Sequence, residues 1–197
     1  MIHVVQLSQT PLRPWRNGGG VTQELLAWPE AADWLVRVSV ARIDRDGPFS
    51  AFEGVQRWFA VLSGAGVRLQ WPGLTHVLTH VLTPASPALH FDGAAAPDCH
   101  LLDGPTQDLN LMLRSGSGAL RACDPGLDWG GDAALRAVFT RVPATLRIAG
   151  ADHTALPAGT LAWSEQAAGQ RWSIEPRSPS DAPGPPAFWL HFNPAPS

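Results

Sequence analysis

Eight side chains of this 197-residue chain have the chemistry needed to bind a small anion together. Arg binds carboxylates through a planar fork of N–H donors, Glu accepts hydrogen bonds from N–H groups, and Phe stacks on planar rings. We expect the candidates to converge if their strands line one pocket, with Glu24 able to accept from an imidazole N–H. They are Thr22, Glu24, Arg37, Ser39, Phe49, Arg57, Asn110 and Arg114.

The alternation of polar and apolar residues determines which way these side chains point. Arg37 and Ser39 alternate with Val36, Val38 and Val40, and the run 108–114 alternates in the same way. Because successive side chains of a strand point to opposite faces, each run has one apolar core face and one polar face. The polar faces face either solvent or the wall of a pocket.

A glycine-rich stretch, 14–25, precedes the first of these strands. Gly18, Gly19 and Gly20 are consecutive, and Thr22 and Glu24 then share one face of the strand that follows. The run lacks the Gly-x-x-x-x-Gly-Lys-[Ser/Thr] pattern of a phosphate loop and the Gly-x-Gly-x-x-Gly pattern of a dinucleotide loop. We expect a glycine turn that leads into a strand carrying a hydroxyl and a carboxylate.

The composition excludes several kinds of chemistry. All 14 basic residues are Arg, and the chain has no Lys and no Tyr. Schiff-base chemistry on Lys and acid–base chemistry on Tyr are therefore excluded. The net charge of -3 and the lack of a basic cluster argue against binding to nucleic acid or to an acidic membrane, and two cysteines are too few for a disulfide framework. We expect a cytoplasmic protein without a membrane segment.

Short runs of Val, Leu, Ile, Thr and Trp between Gly and Pro turns predict an all-β sandwich or barrel. A flexible joint at 115–118 divides the chain into halves 1–118 and 119–197, which we expect to pack as one unit. His76 and His80 would lie too far apart on one strand to share a metal. The predicted strands are 4–7, 21–27, 34–43, 57–62, 67–71, 75–82, 99–102, 109–114, 135–142, 144–148, 160–164, 171–174 and 188–192.

An ordered set of motifs in residues 10–120 resembles the HutD/Ves family of small bacterial proteins with a cupin-type fold. The resemblance implies a bicupin-like pair of β-sandwich halves of the RmlC-like jelly-roll type and a regulatory role beside histidine utilisation, with urocanate as the implied ligand. The matching segments are Pro14-Trp15-Arg16-Asn17-Gly18-Gly19-Gly20 with Thr22 and Glu24, Arg37-Val38-Ser39-Val40-Ala41, Asp46-Gly47-Pro48-Phe49-Ser50 with Phe52 and Gly54, Arg57, 62–66, Phe91-Asp92-Gly93, and Leu102-Asp103-Gly104-Pro105 leading to 108–112.

Three functions are compatible with these residues. The one we favour is a non-catalytic regulatory protein that binds urocanate or a similar small carboxylate in a metal-free pocket, without a cofactor. The chain lacks the His-x-His pair with which metal-dependent cupins usually bind their ion. The alternatives are a metal-independent isomerase or lyase with Glu24 as acid or base, and a protein-interaction module that uses some of the nine Trp. A homodimer is compatible with the sequence.

Overall fold

The structure, a computed structural model, describes residues 1–71, 77–149, 153–177 and 181–195. These residues form strands and one 3-10 turn, Leu7–Gln9, which confirms the all-β prediction. The strands are β1 (His3–Gln6), β2 (Arg13–Pro14), β3 (Gly20–Trp28), β4 (Val36–Ile43), β5 (Gly47–Pro48), β6 (Gln56–Ser63), β7 (Val67–Trp71), β8 (Leu78–Leu82), β9 (Leu89–Asp92), β10 (Asp98–Leu101), β11 (Thr106–Leu113), β12 (Ser117–Ala122), β13 (Leu135–Thr140), β14 (Ala144–Ile148), β15 (Thr154–Leu156), β16 (Thr160–Ser164), β17 (Trp172–Pro176) and β18 (Ala187–Asn193).

One compact unit, Pro11–Ser115, is called the first sandwich here. Its six-stranded sheet has the order β2-β3-β4-β11-β6-β9, and its four-stranded sheet has the order β5-β10-β7-β8. Buried side chains from both sheets, including Phe59, Leu69 and Cys99, form one apolar cluster. Two sheets with a shared core and open edges match the predicted cupin-type sandwich, and neither sheet closes into a barrel.

The other compact unit, Met1–Thr10 with Gly116–Ser197, is called the second sandwich. Its five-stranded sheet has the order β1-β16-β13-β18-β12, and β15-β14-β17 form a three-stranded sheet. Residues of both sheets, such as Val138, Leu146 and Trp172, share an apolar cluster.

The first strand of the chain belongs to this second sandwich, whereas the prediction grouped it with the first half. β1 pairs with β16 in the register His3 opposite Trp163, and the two rings stack with centroids 4.2 Å apart. The amide of Leu7 also donates to the carbonyl oxygen of Gly159 at 2.8 Å. These contacts join segments far apart in sequence.

The predicted flexible joint at 115–118 is wrong in its second half. Ser117 begins β12, which pairs with β18 along its whole length, from Ser117 opposite Asn193 to Ala122 opposite Phe188. The pairing with β18 thus fixes the conformation of small residues that have no strong preference for a strand.

The predicted strand 75–82 begins outside the described residues, and its described part is β8. Within the described ranges, no helix is long and apolar enough to cross a membrane.

Strands β4 and β11 are neighbours at the centre of the six-stranded sheet. Their alternation is as predicted, because Val36, Val38 and Val40 are at most 1% exposed and face away from Arg37 and Ser39. Antiparallel pairing sets Asn110 opposite Ser39, so the two polar faces form one surface. The sheet therefore brings together side chains that lie about 70 residues apart in the chain.

Candidate functional site

A cavity lies against the polar face of the six-stranded sheet, within the first sandwich. Its volume is about 120 Å³, which is enough for a small planar molecule. The lining residues are Trp15, Thr22, Arg37, Ser39, Ala41, Pro48, Phe49, Ser50, Phe52, Arg57, Asp108, Asn110 and Met112.

The strand register explains why these side chains meet. Met112 of β11 lies opposite Arg37 of β4 on one side and Arg57 of β6 on the other, so both guanidinium groups come from the same level of the sheet. A bulge interrupts the pairing of β3 with β4 between Glu24 and Leu26. It inserts one extra residue after the polar part of β3, as bulges often do beside functional sites.

Arg57 is the most deeply buried cation of the cavity. The residue is 7% exposed, and its guanidinium carbon lies 5.3, 5.6 and 5.1 Å from the ring centres of Phe49, Phe52 and Phe91. Nη2 donates to Asn110 Oδ1 at 3.1 Å, whereas Nε has no hydrogen-bond partner among the described residues. Three aromatic faces thus hold a positive charge that no carboxylate contacts within the described part of the chain.

Desolvation of this guanidinium has a clear electrostatic effect. Burial lowers the pKa of Arg57 to about 10, the charge of Asp108 opposes this change, and the charge of Arg37 adds to it. The group remains charged at neutral pH. An anion placed in the cavity would compensate its buried charge.

Asp108 is the carboxyl group of the cavity. It is 1% exposed, and its Oδ1 accepts a short hydrogen bond from Asn110 Nδ2. Burial raises the pKa of Asp108 to about 8, although the charge of Arg57 and the hydrogen bond from Asn110 both act in the opposite direction. A chain of two hydrogen bonds therefore runs from Asp108 through Asn110 to Arg57.

The second cation of the cavity, Arg37, is already paired. Its Nε lies 2.9 Å from Glu24 Oε2, but the N–H is not aligned as a hydrogen bond, so the contact is an ion pair. Arg13 lies 3.5 Å from the other oxygen of Glu24. Arg57 is consequently the cation of the cavity whose charge lacks a partner in the described structure.

The glycine run has a structural part in the site. A Cβ on Gly20 would lie 2.2 Å from the carbonyl oxygen of Arg42, so only glycine allows this approach of β3 to β4. The turn positions Trp15, whose indole Nε1 donates to Thr22 Oγ1 at 2.7 Å. Trp15 thereby becomes one wall of the cavity.

Six of the eight predicted residues line the cavity, and two do not. Glu24 pairs with Arg37 and is not among the lining residues. Arg114 follows β11, pairs with Asp33 at 3.2 Å and lies over the ring of Trp34, outside the cavity. The six are Thr22, Arg37, Ser39, Phe49, Arg57 and Asn110.

Sequence reasoning missed one residue with chemistry of its own, Asp108. It shares the alternation that selected Asn110, two positions away on the same face, so the pattern could have found it. Trp15 and Ser50 come from outside the paired strands that supply most of the wall, and no periodicity places them there.

The cavity does not fit the metal that a cupin-type fold suggests. Divalent transition metals take imidazole and carboxylate ligands, yet the lining has no His and two guanidinium groups. Among the described residues, no group of three or more His, Cys, Asp or Glu is placed to hold an ion. We derive no metal chemistry for this cavity.

A family comparison identifies the chain. The model of the family described as HutD matches residues 8–178. The chain belongs to the HutD family. Together with the relatives below, this confirms the resemblance to HutD and Ves proteins.

Two curated relatives match part of the chain. An uncharacterised 21.2 kDa protein of the hutC 3' region in Pseudomonas putida is 36% identical over 120 residues, which cover 56% of this chain and 57% of that protein. Protein Ves of Citrobacter koseri is 36% identical over 110 residues, which cover 55% and 56%. The matched segments thus span little more than half the length of these relatives.

Solved structures match nearly the whole chain. A conserved protein of unknown function from Pseudomonas aeruginosa PAO1 has a TM-score of 0.81 at 26% identity, with 98% of this chain and 97% of that chain covered. HutD from Pseudomonas fluorescens SBW25 gives a TM-score of 0.81 at 24% identity, with coverage of 98% and 99%. Oxalate decarboxylase of Bacillus subtilis shares the fold at 10% identity, with a TM-score of 0.65 and coverage of 96% and 76%.

Proposed function

We propose that this HutD-family chain binds urocanate or a similar small planar monocarboxylate in the cavity of the first sandwich. In this proposal it acts as a non-catalytic, cytoplasmic regulator of histidine utilisation and needs neither metal nor cofactor. The family association supports the pathway, and the cavity supports the ligand class.

The observation that carries the proposal is the uncompensated charge of Arg57. A buried cation without a counter-ion is costly, and a carboxylate ligand would remove that cost through charge-assisted hydrogen bonds. Nε of Arg57 has no partner among the described residues, so a donor is available for the ligand.

The walls of the cavity suit a planar molecule. Phe49 and Phe52 contribute aromatic rings to the lining, and Ser39 and Thr22 add hydroxyl groups at the sheet. A conjugated acid could place its carboxylate at Arg57 and its planar part against the rings.

Calorimetric titration of the purified protein with urocanate at pH 7 tests the proposal. We expect saturable binding that is weakened at least about tenfold by Arg57→Met and clearly weakened by Arg37→Ala. Arg42→Ala is the matched control, since Arg42 is on the same strand as Arg37 but is exposed and paired with Asp44 at 2.9 Å. Absence of urocanate binding by the folded, unsubstituted protein would refute the proposal.

An enzymatic alternative is favoured by one observation. Burial places the pKa of Asp108 at about 8, which is a useful range for general acid–base chemistry, and Asp108 lines the cavity whereas Glu24 does not. A metal-independent isomerase or lyase would therefore use Asp108 as its acid or base. Loss of urocanate absorbance in the presence of the protein, abolished by Asp108→Asn, would establish turnover and replace the regulatory proposal.

A further inference from the structure

Of the two carboxyl oxygens of Asp108, one accepts a hydrogen bond and the other has no partner in the described structure. Oδ1 accepts from Asn110 Nδ2, and Oδ2 is buried with no hydrogen-bond partner among the described residues. Buried polar atoms in native proteins are almost always paired. Because Asp108 lines the cavity, the unpaired oxygen indicates an atom that is completed by whatever occupies the cavity.

The surroundings of Asp108 favour its neutral form. The charged and titratable groups nearby are Arg57 on β6, Arg37 on β4 with its partner Glu24, and the thiol of Cys99 on β10. None forms an ion pair with Asp108 in the described structure. Full burial without an ion pair disfavours a carboxylate, and the pKa of Asp108 is accordingly raised to about 8.

The proton of the neutral acid belongs on Oδ2, since Oδ1 is occupied as an acceptor. Apart from the Nε–H of Arg37, which lies in the ion pair with Glu24, the cavity then has two hydrogen-bond donors that lack acceptors, the Oδ2–H of Asp108 and the Nε–H of Arg57. Asn110 holds the two residues in a fixed relation, because it bonds to both. Two unpaired donors require a ligand with two acceptor atoms.

We infer that Asp108 takes part in ligand binding as a neutral carboxylic acid, donating its Oδ2–H to the anion that Arg57 binds. This inference rests on the proposed function and names a residue that determines specificity. Since Glu24 compensates Arg37, the cavity offers one uncompensated positive charge and one neutral donor. That combination selects a monoanion.

The inference fixes the sign of a pH dependence. Below pH 8 the acid is already neutral and binding needs no proton, whereas above pH 8 the free protein must take up a proton as the anion binds. Affinity should therefore be constant near pH 7 and should fall by up to about tenfold per pH unit above pH 8. The pKa of Cys99, raised to about 12 by burial, keeps that thiol neutral throughout this range.

The test is calorimetric titration with urocanate between pH 7 and pH 9, each pH in two buffers of different ionisation enthalpy. The unsubstituted protein should show the loss of affinity and a matching proton uptake. Asp108→Asn keeps an acceptor for Asn110 and an N–H donor for the ligand, so it should bind at pH 7 within a few-fold and lose the pH dependence. Asp33→Asn is the control, because this side chain is 83% exposed and lies outside the cavity, and it should keep the pH dependence of binding.

The inference is overturned if the affinity of the unsubstituted protein is constant or rises from pH 7 to pH 9, or if folded Asp108→Asn no longer binds at pH 7. An infrared difference spectrum of ligand-free protein and Asp108→Asn supplies a separate measurement, and it should show one protonated carboxyl band at pH 7. If urocanate does not bind at any pH, both the proposed function and the hydrogen bond from Asp108 to the ligand are refuted. If urocanate binds but its affinity does not depend on pH, only the role of Asp108 is refuted.

Discussion

Replacing either of two buried arginines by Met should change the stability of the protein by very different amounts. Arg57 and Arg136 both lie against aromatic rings, and neither has an ion pair in the described structure. They differ in their hydrogen bonds. Arg136 donates to three backbone carbonyl oxygens at 3.2, 2.6 and 2.9 Å, whereas Arg57 has one side-chain partner and a weak contact of 3.4 Å to a carbonyl oxygen.

For Arg57→Met the opposing contributions nearly cancel. Burial lowers the pKa of Arg57 from its ordinary value to about 10, which corresponds to a penalty of roughly 3 kcal/mol on the charged form that Met does not have. Loss of the aromatic contacts costs about 1–2 kcal/mol, and loss of the hydrogen bond that Arg57 donates to Asn110 costs about 1 kcal/mol. We expect the free energy of unfolding to change by less than about 1 kcal/mol while urocanate binding is lost.

For Arg136→Met the balance is different, because the substitution leaves three carbonyl oxygens without their donor. Arg136 is 0% exposed and contacts Trp129 and Trp172. We expect a loss of about 3–5 kcal/mol, as is typical when one partner of a buried charged network is removed.

Urea unfolding followed by Trp fluorescence, with linear extrapolation to water, measures both variants. The unsubstituted protein and Arg42→Met, at an exposed position, serve as references. The reasoning is refuted if Arg57→Met destabilises the protein by more than about 3 kcal/mol, or if Arg136→Met is the milder of the two changes. Either outcome would mean that the number of hydrogen bonds does not distinguish an arginine that binds a ligand, such as Arg57, from one that stabilises the fold, such as Arg136.

Three further predictions test the description of the site. Glu24→Gln should free the charge of Arg37 and raise urocanate affinity a few-fold by calorimetry, whereas an acid–base role of Glu24 would appear as lost turnover. Arg114→Ala should leave that affinity within about twofold, and a larger loss would place Arg114 at the ligand. Gly20→Ala should lower the thermal midpoint more than Gly18→Ala, because a Cβ at position 20 would lie 2.2 Å from a carbonyl oxygen. A Cβ at position 18 meets open space, so at φ +68° Gly18→Ala costs only about 1 kcal/mol of backbone strain. Equal midpoints would contradict the close approach of β3.

The parts of the site that lie on regular strands could be predicted from sequence. Arg37, Ser39 and Asn110 follow from a period of two, which the observed register preserves. The alternation also places Arg114 on this face, but the cavity ends at Met112, and the end of a cavity leaves no periodic signal. Position on a face was predictable, whereas membership of the cavity was not.

Non-local features explain the remaining differences. The bulge after Glu24 allows both Leu25 and Leu26 to be buried, which strict alternation forbids. The charge partner of Arg37 also depends on which strands are adjacent, so the ion pair of Arg37 with Glu24 could not be read from either strand alone. Pairing of β1 with β16 likewise depends on tertiary contacts that propensity does not encode.

Because β1 pairs with β16, the two sandwiches cannot fold at the same stage of translation. Every residue of the cavity lies within Pro11–Ser115, so this sandwich can fold as soon as its own segment has left the ribosome. His3, by contrast, precedes this sandwich but pairs with Trp163, 160 residues further along the chain. β1, which precedes the first sandwich in the chain, is therefore paired only after β16 has been made, and the ligand cavity can form while β1 still lacks its partner.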